Sequence, residues 1–242
     1  MITLHKNDAR QYHCRGKHES WLTFPSTGSF EPVAGGFGSL ELVSEDRLPP
    51  GAALAARPLH DAEIVTYVRE GALAYQDSTG RSGVIHAGEF QRMTSGGGVR
   101  HSQTNASRTA GAHVFRIWLR PWLEELMPAH EQERFSTAER RGGLRVFAAP
   151  DARRGALRIQ AEAFLYSSLL DVGQHVAHEL VPGRKAWLHV VEGAATLGDL
   201  LLTRGDGAGI SAERAVSVTA RKQTELLLVE LGERGSSALV DA

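Results

Sequence analysis

Short apolar or alternating runs, each cut off by a glycine turn, constrain the fold of this chain most. Residues 39–43, 64–68, 83–85 and 112–119 are rich in β-branched and aromatic side chains, and none of these runs is long enough to make a good helix. With 26 glycines as punctuation, the pattern predicts an all-β chain of sandwich or barrel type. At 242 residues and 42% hydrophobic content it can bury two modest cores. One segment breaks the pattern. From Pro121 to Gly143 the chain is charged, carries Pro121 and Pro128 and ends in Gly142-Gly143, as an interdomain connector with a short helical turn would. The predicted organisation is a first domain over 1–125, a connector over 126–143 and a second domain over 144–242.

The two sides of the connector read as copies. Val65 through Leu73, a strand ending in Glu70-Gly71 and a returning strand, is echoed by Trp187 through Ala195 with its Glu192-Gly193 turn. Farther on, Gly88 and Gly205 each open a new strand at comparable places.

Charge narrows the function classes. Twenty-seven basic and 28 acidic residues leave a formal charge of -1, so no whole-molecule field favours nucleic acid or an anionic membrane. There is no long apolar run and no signal-like N-terminus, so the expectation is a cytoplasmic monomer whose partner is a small organic ligand or another protein. The single cysteine excludes an intramolecular disulfide and a thiolate zinc cluster. Cys14 lies among His13, Arg15, Lys17 and His18, which makes it a redox candidate; the alternative is an unreactive thiol.

Two motifs carry more. Gly51 precedes Arg57-Pro58-Leu59-His60 and Glu63, and Gly96-Gly97-Gly98 leads to His101 and Asn105. This arrangement resembles the paired motifs of the cupin superfamily. Residues 36–40, 45–47, 63–68, 75–78 and 91–102, with Glu131-Gln132 and 186–190, resemble the pirin branch in particular. The resemblance implies a bicupin of two jelly-roll-like β-sandwiches. It also implies a metal pocket in the first domain, with four ligand positions falling on Arg57, Leu59, His101 and Gln103. Residues two apart on a strand share a face, so each pair can point into one hollow.

Three of those positions hold side chains unsuited to a divalent cation. Arg57 is permanently charged, Leu59 has no lone pair and Gln103 offers one neutral carbonyl oxygen. The expectation is therefore no cofactor, with one divalent iron, nickel, copper or zinc ion at His101 as the alternative. His60 and Glu63 are neighbours that could rebuild a site with His101. Two other readings of the pocket stand side by side: Arg57 and His101 bind a small organic anion, or Arg57 pairs with Glu63 and fills the space. The leading functional expectation is a pirin-like protein without a complete metal site, regulatory or binding a small molecule or protein. Its alternative is a quercetinase-like, metal-dependent dioxygenase acting on a flavonol, as the resemblance to active pirins implies.

Overall fold

The computed structural model describes residues 1–24 and 36–232. Over these residues it is built from twenty-two strands. The first half holds β1 (Ile2–His5), β2 (Gln11–Arg15), β3 (His18–Thr23), β4 (Leu40–Leu48), β5 (Ala53–Leu59), β6 (Glu63–Glu70), β7 (Ala72–Asp77), β8 (Ser82–His86), β9 (Glu89–Thr94), β10 (Val99–Asn105), β11 (Ala112–Leu119) and β12 (Ala129–Arg134). A single helical turn, α1 (Thr137–Arg140), follows, closed by a capping box between Ser136 and Glu139. The second half holds β13 (Arg145–Ala149), β14 (Leu157–Arg158), β15 (Ala163–Leu170), β16 (His175–Glu179), β17 (Lys185–Glu192), β18 (Ala194–Leu197), β19 (Leu200–Thr203), β20 (Gly207–Ile210), β21 (Ala215–Ala220) and β22 (Thr224–Leu231).

Each half is a sandwich of a seven-stranded and a four-stranded sheet. The first pairs β12-β9-β6-β11-β4-β3-β2 with β5-β10-β7-β8, and the second pairs β1-β20-β17-β22-β15-β13-β14 with β16-β21-β18-β19. This is the all-β, two-domain bicupin that the strand pattern and the resemblance imply. The two seven-stranded sheets pack face to face. Alternate residues Val65, Tyr67, Phe115 and Ile117 from one meet Phe147, Leu165, Trp187, Leu227 and Val229 from the other in one buried cluster.

The boundaries of the halves are less tidy than composition suggests. Residues 129–134, expected in the connector, pair along β9 and form an edge of the first large sheet. Residues 2–5, expected in the first domain, pair with β20 of the second. Neither segment has a core pattern of its own, so only its hydrogen-bond partner decides where it belongs.

Parity also explains why one half contains a cavity. The residues of β17 and β22 that face the second sandwich interior are apolar, among them Leu188, Val190, Leu226 and Leu228, and they pack solidly. The corresponding face of the first large sheet breaks its apolar pattern with Ser44, Asp46, Thr66, Gln91 and Arg116, all buried. Polar side chains of that size do not interdigitate like leucine, and a hollow remains between two apolar clusters, one around Trp118 and the other around Val114.

Candidate functional site

The hollow is a cavity of about 510 Å³ between β5 and β10 on one side and β2, β3, β6, β9 and β11 on the other. Arg57, Leu59, His101 and Gln103 all line it. Strand β10 pairs with β5 so that His101 lies opposite Arg57 and Gln103 opposite Leu54. One residue of β10, Ser102, thus faces two of β5, residues 55 and 56, and this bulge turns both Leu54 and Arg57 inward despite their odd spacing. Simple alternation along β5 would not have predicted Leu54.

The floor of the cavity is laid out in two rows that run across the strands. Arg116 on β11 is in register with Thr66 on β6, and Thr66 with Gln91 on β9. Next to them, Trp118 is in register with Ile64, and Ile64 with Met93. One row is polar and the other apolar, and all six residues line the cavity.

Electrostatically the wall is basic. It carries Arg15, Arg57 and Arg116 with His13, His18 and His101, and no aspartate or glutamate among the described residues. Arg116 is buried. It donates from Nη2 to Asp46 Oδ2 at 2.6 Å and from Nη1 to Gln103 Oε1 at 3.4 Å, so it ties the two sheets together across the cavity. Burial alone would raise the Asp46 carboxyl. Arg116 and the imidazole of His18, 3.0 Å away, outweigh burial and hold it well below the usual carboxylate range. Arg57 lies with its guanidinium carbon 5.1 Å from the Trp118 ring centroid, a cation–π contact.

His101 is buried, and its Nδ1 has no hydrogen-bond partner. Burial first, then His130, Arg116 and Arg57, push its pKa down to about 4, so the ring is neutral at pH 7. Behind it, Tyr75 and His130 stack at 5.5 Å, and His130 Nε2 lies 2.7 Å from Asp77 Oδ2. The Nε2 of Gln91 is likewise buried without a partner, although the rest of that residue is enclosed.

The other residues singled out by sequence lie elsewhere. Glu63 starts β6, but its side chain is on the face opposite Ile64 and Thr66, towards the second half. There it accepts from Thr94 Oγ1 at 2.7 Å and lies 3.8 Å from Arg92, so it is not the partner that Arg57 was expected to have. Burial pushes its carboxyl up to about 7. His60 is exposed and covers Gly98, where a Cβ would come within 2.5 Å of the ring. A set of His60, Glu63 and His101 therefore does not converge, and no three histidine, cysteine or acidic residues do so among the described residues. Asn105 is structural. Its Nδ2 donates to the carbonyls of Leu48, Pro49 and Ala110, and its Oδ1 accepts from Ser107 N.

Cys14 borders the cavity through its strand, but pairing places it opposite Glu19, while His13 is opposite Ser20 and Arg15 opposite His18. Its thiol shares the outer face with Tyr12, whose hydroxyl is pushed up by hydrogen bonds to Cys14 and Glu19. Arg116, Trp118 and Gln91 were missed by motif reading. A charged residue at 116 inside the otherwise apolar run of β11 was the available signal, because such a residue is rarely buried without a purpose.

Comparison with known proteins agrees with this geometry. The pirin family matches residues 5–119, and the quercetinase C-terminal cupin domain matches residues 146–231. Quercetin 2,3-dioxygenase of Escherichia coli K12 is 35% identical over 231 residues, covering 96% of this chain and 99% of its own. A pirin-like protein of Caulobacter vibrioides is 30% identical over 222 residues, covering 89% of this chain and 94% of its own. The crystal structure of the E. coli bacterial pirin YhhW in complex with nickel(II) superposes with a TM-score of 0.89 at 34% identity, covering 96% of this chain and all (100%) of that one. No helix among the described residues is long and apolar enough to cross a membrane. By its sequence matches over nearly its whole length and by the superposition of its fold, the chain belongs to the pirin family.

Proposed function

We propose that the cavity of the first half binds a small organic anion and does so without a resident metal ion. One observation carries this reading: the wall carries the guanidiniums of Arg15, Arg57 and Arg116, and although Asp46 offsets Arg116 from behind, no aspartate or glutamate among the described residues lines the cavity itself. A carboxylate entering it would be held by charge-assisted hydrogen bonds, while Leu54, Leu59 and Trp118 would cover its apolar part.

The donor set does not fit the metal of the family pattern. Of positions 57, 59, 101 and 103, only His101 offers an unengaged nitrogen lone pair, since the Gln103 oxygen already accepts from Arg116. Arg57 and Arg116 would repel an incoming cation at close range. Binding rather than turnover is then the output, which suits a cytoplasmic carrier or a regulatory protein that senses its ligand.

A second reading has specific support. Relatives named quercetin 2,3-dioxygenase and a relative crystallised with nickel(II) make a metal-dependent dioxygenase the competing function. Metal content and oxygen uptake with a flavonol separate the two. The anion reading predicts less than about a tenth of an equivalent of iron, nickel, copper or zinc after purification without chelators, and no flavonol-dependent oxygen uptake. Stoichiometric metal that is lost in His101→Ala, with turnover lost alongside it, would establish the enzyme. The combined change Arg57→His, Leu59→His and Gln103→Glu should give the first half a nickel site. If that folded variant binds no nickel, the pocket is misplaced.

A further inference from the structure

Three guanidiniums line the cavity, and they are not equally free to meet a ligand. Arg116 spends its charge on Asp46 at 2.6 Å and its other amino group on Gln103. Asp46 is in turn saturated, because its second oxygen lies 3.0 Å from Nε2 of His18. Arg57 is already committed and lies over the ring of Trp118. Arg15 differs from both. It is exposed, and among the described residues its guanidinium has no ion-pair or hydrogen-bond partner.

Pairing aims Arg15 at the cavity. It stands opposite His18, as His13 stands opposite Ser20, and all four line the hollow, while Tyr12 and Cys14 take the other parity of β2. Strand order then places it at the entrance. Strand β2 is one edge of the large sheet and β5 one edge of the small sheet. At the opposite edges β12 and β8 are tied together, since the Gln132 amide donates to the Val84 carbonyl at 3.0 Å. Among the described residues no strand closes the gap between β2 and β5, so the mouth lies on the Arg15 side. Three strand spacings, on the order of 14 Å, separate β2 from β11 with its Arg116.

Inside the mouth the wall offers Leu54, Leu59, Ile64 and Met93, and the polar side chains of Thr66 and Gln103 among them are uncharged. A carboxylate carried inward would lose its water and meet cations whose donors are already engaged. One left at the mouth keeps part of its water and gains Arg15. Resting on the anion-binding reading, we propose that the ligand is an amphipathic monocarboxylate that enters tail first. Its uncharged apolar body fills the space between the two sheets, and its carboxylate stays at the mouth on Arg15. Arg15 is then the residue that selects an acid over its uncharged analogue, and a second anionic group at the inner end is rejected.

Calorimetric titration of the purified full chain tests this with octanoate, octanamide, which lacks the charge, and octanedioate, which puts a second carboxylate at the inner end. Octanoate should bind about three- to fivefold more tightly than octanamide, as an exposed ion pair allows. It should bind at least about tenfold more tightly than octanedioate, whose inner charge gives up water with no free cation to meet it. Because the ion pair lies at the surface, the ratio of acid to amide affinity should fall towards one between about 0.02 and 0.5 M sodium chloride. Arg15→Gln, at an exposed edge position, should remove the preference for the acid at low salt and leave octanamide binding unchanged. If the preference survives either change, the charge is held deeper and the mouth assignment falls, although anion binding stands. If octanedioate binds as tightly as octanoate, the uncharged inner end falls in the same way. If octanoate binds no more tightly than octanamide to the unchanged protein at low salt, or neither binds, the anion reading itself fails.

Discussion

Glu63 shows how much one residue's meaning depends on which side of a strand it faces. As the glutamate of a cupin-like motif it looked like part of the pocket, yet it is buried between the two halves with one carboxylate oxygen lacking a hydrogen-bond partner. Its pKa is raised from an ordinary 4.5 to about 7. Between those values the folded protein holds a proton that the unfolded chain has already released. The stabilising contribution is thus complete below the unfolded pKa and is lost as pH rises through about 7. Glu63→Gln, which stays neutral, should gain stability relative to the parent from about pH 5 to about pH 8 in urea titrations. A pH-independent difference would show that Glu63 is ionised throughout. At this scale the sequence was legible where parity alone decides, as for Arg57 with Leu59 and His101 with Gln103. It was not legible where pairing decides: Gln91 and Trp118 became site residues only because β6, β9 and β11 lie in register.

Among the elements, the two Glu-Gly turns are the clearest sign of duplication. Gly71 and Gly193 both have positive φ, 79° and 84°. A Cβ at Gly71 would stand 2.5 Å from the carbonyl oxygen of Gly111, and one at Gly193 2.0 Å from that of Gln223. In each half the turn therefore presses against the residues that lead into the central partner strand, β11 or β22. Glycine is required twice for one geometric reason. Gly193→Ala should cost about 1–3 kcal/mol through strained φ alone, with more from the contact, and should leave ligand binding in the first half unchanged in a thermal-shift titration. Loss of binding with an unchanged melting temperature would contradict this. The strand runs, the turns and the likeness of the halves could all be read from the residue pattern. The bulge in β5 could not, because nothing at positions 54–57 announces an extra residue before the β10 register is known.

The whole molecule is held together by more than a linker. Besides the apolar cluster shared by the large sheets, Glu225 of the second half accepts from Tyr67 at 2.6 Å, Arg69 at 2.9 Å and Arg140 at 3.1 Å, which brings the first half, α1 and β22 to one carboxylate. Glu45 of the first half also lies 3.7 Å from the guanidinium of Arg204 in the second. These contacts predict a single calorimetric transition for the chain, and Glu225→Leu should lower its midpoint by leaving the buried Arg140 guanidinium uncompensated, a loss of about 3–5 kcal/mol. Two resolved transitions in the parent protein would mean that the halves are energetically separate. Composition could not show that residues 2–5 pair with the second half or that residues 129–134 border the first large sheet, since a short edge strand is defined by its partner.

On the proposed reading, the cavity holds an organic anion where the family pattern would place a metal ion. The most direct measurement is a crystal structure of the protein grown with benzoate, a simple aromatic carboxylate, with anomalous data collected at the iron, nickel, copper and zinc edges. The account predicts density for the acid in the cavity and no anomalous peak beside His101. A fully occupied metal ion bound to the His101 imidazole would contradict it.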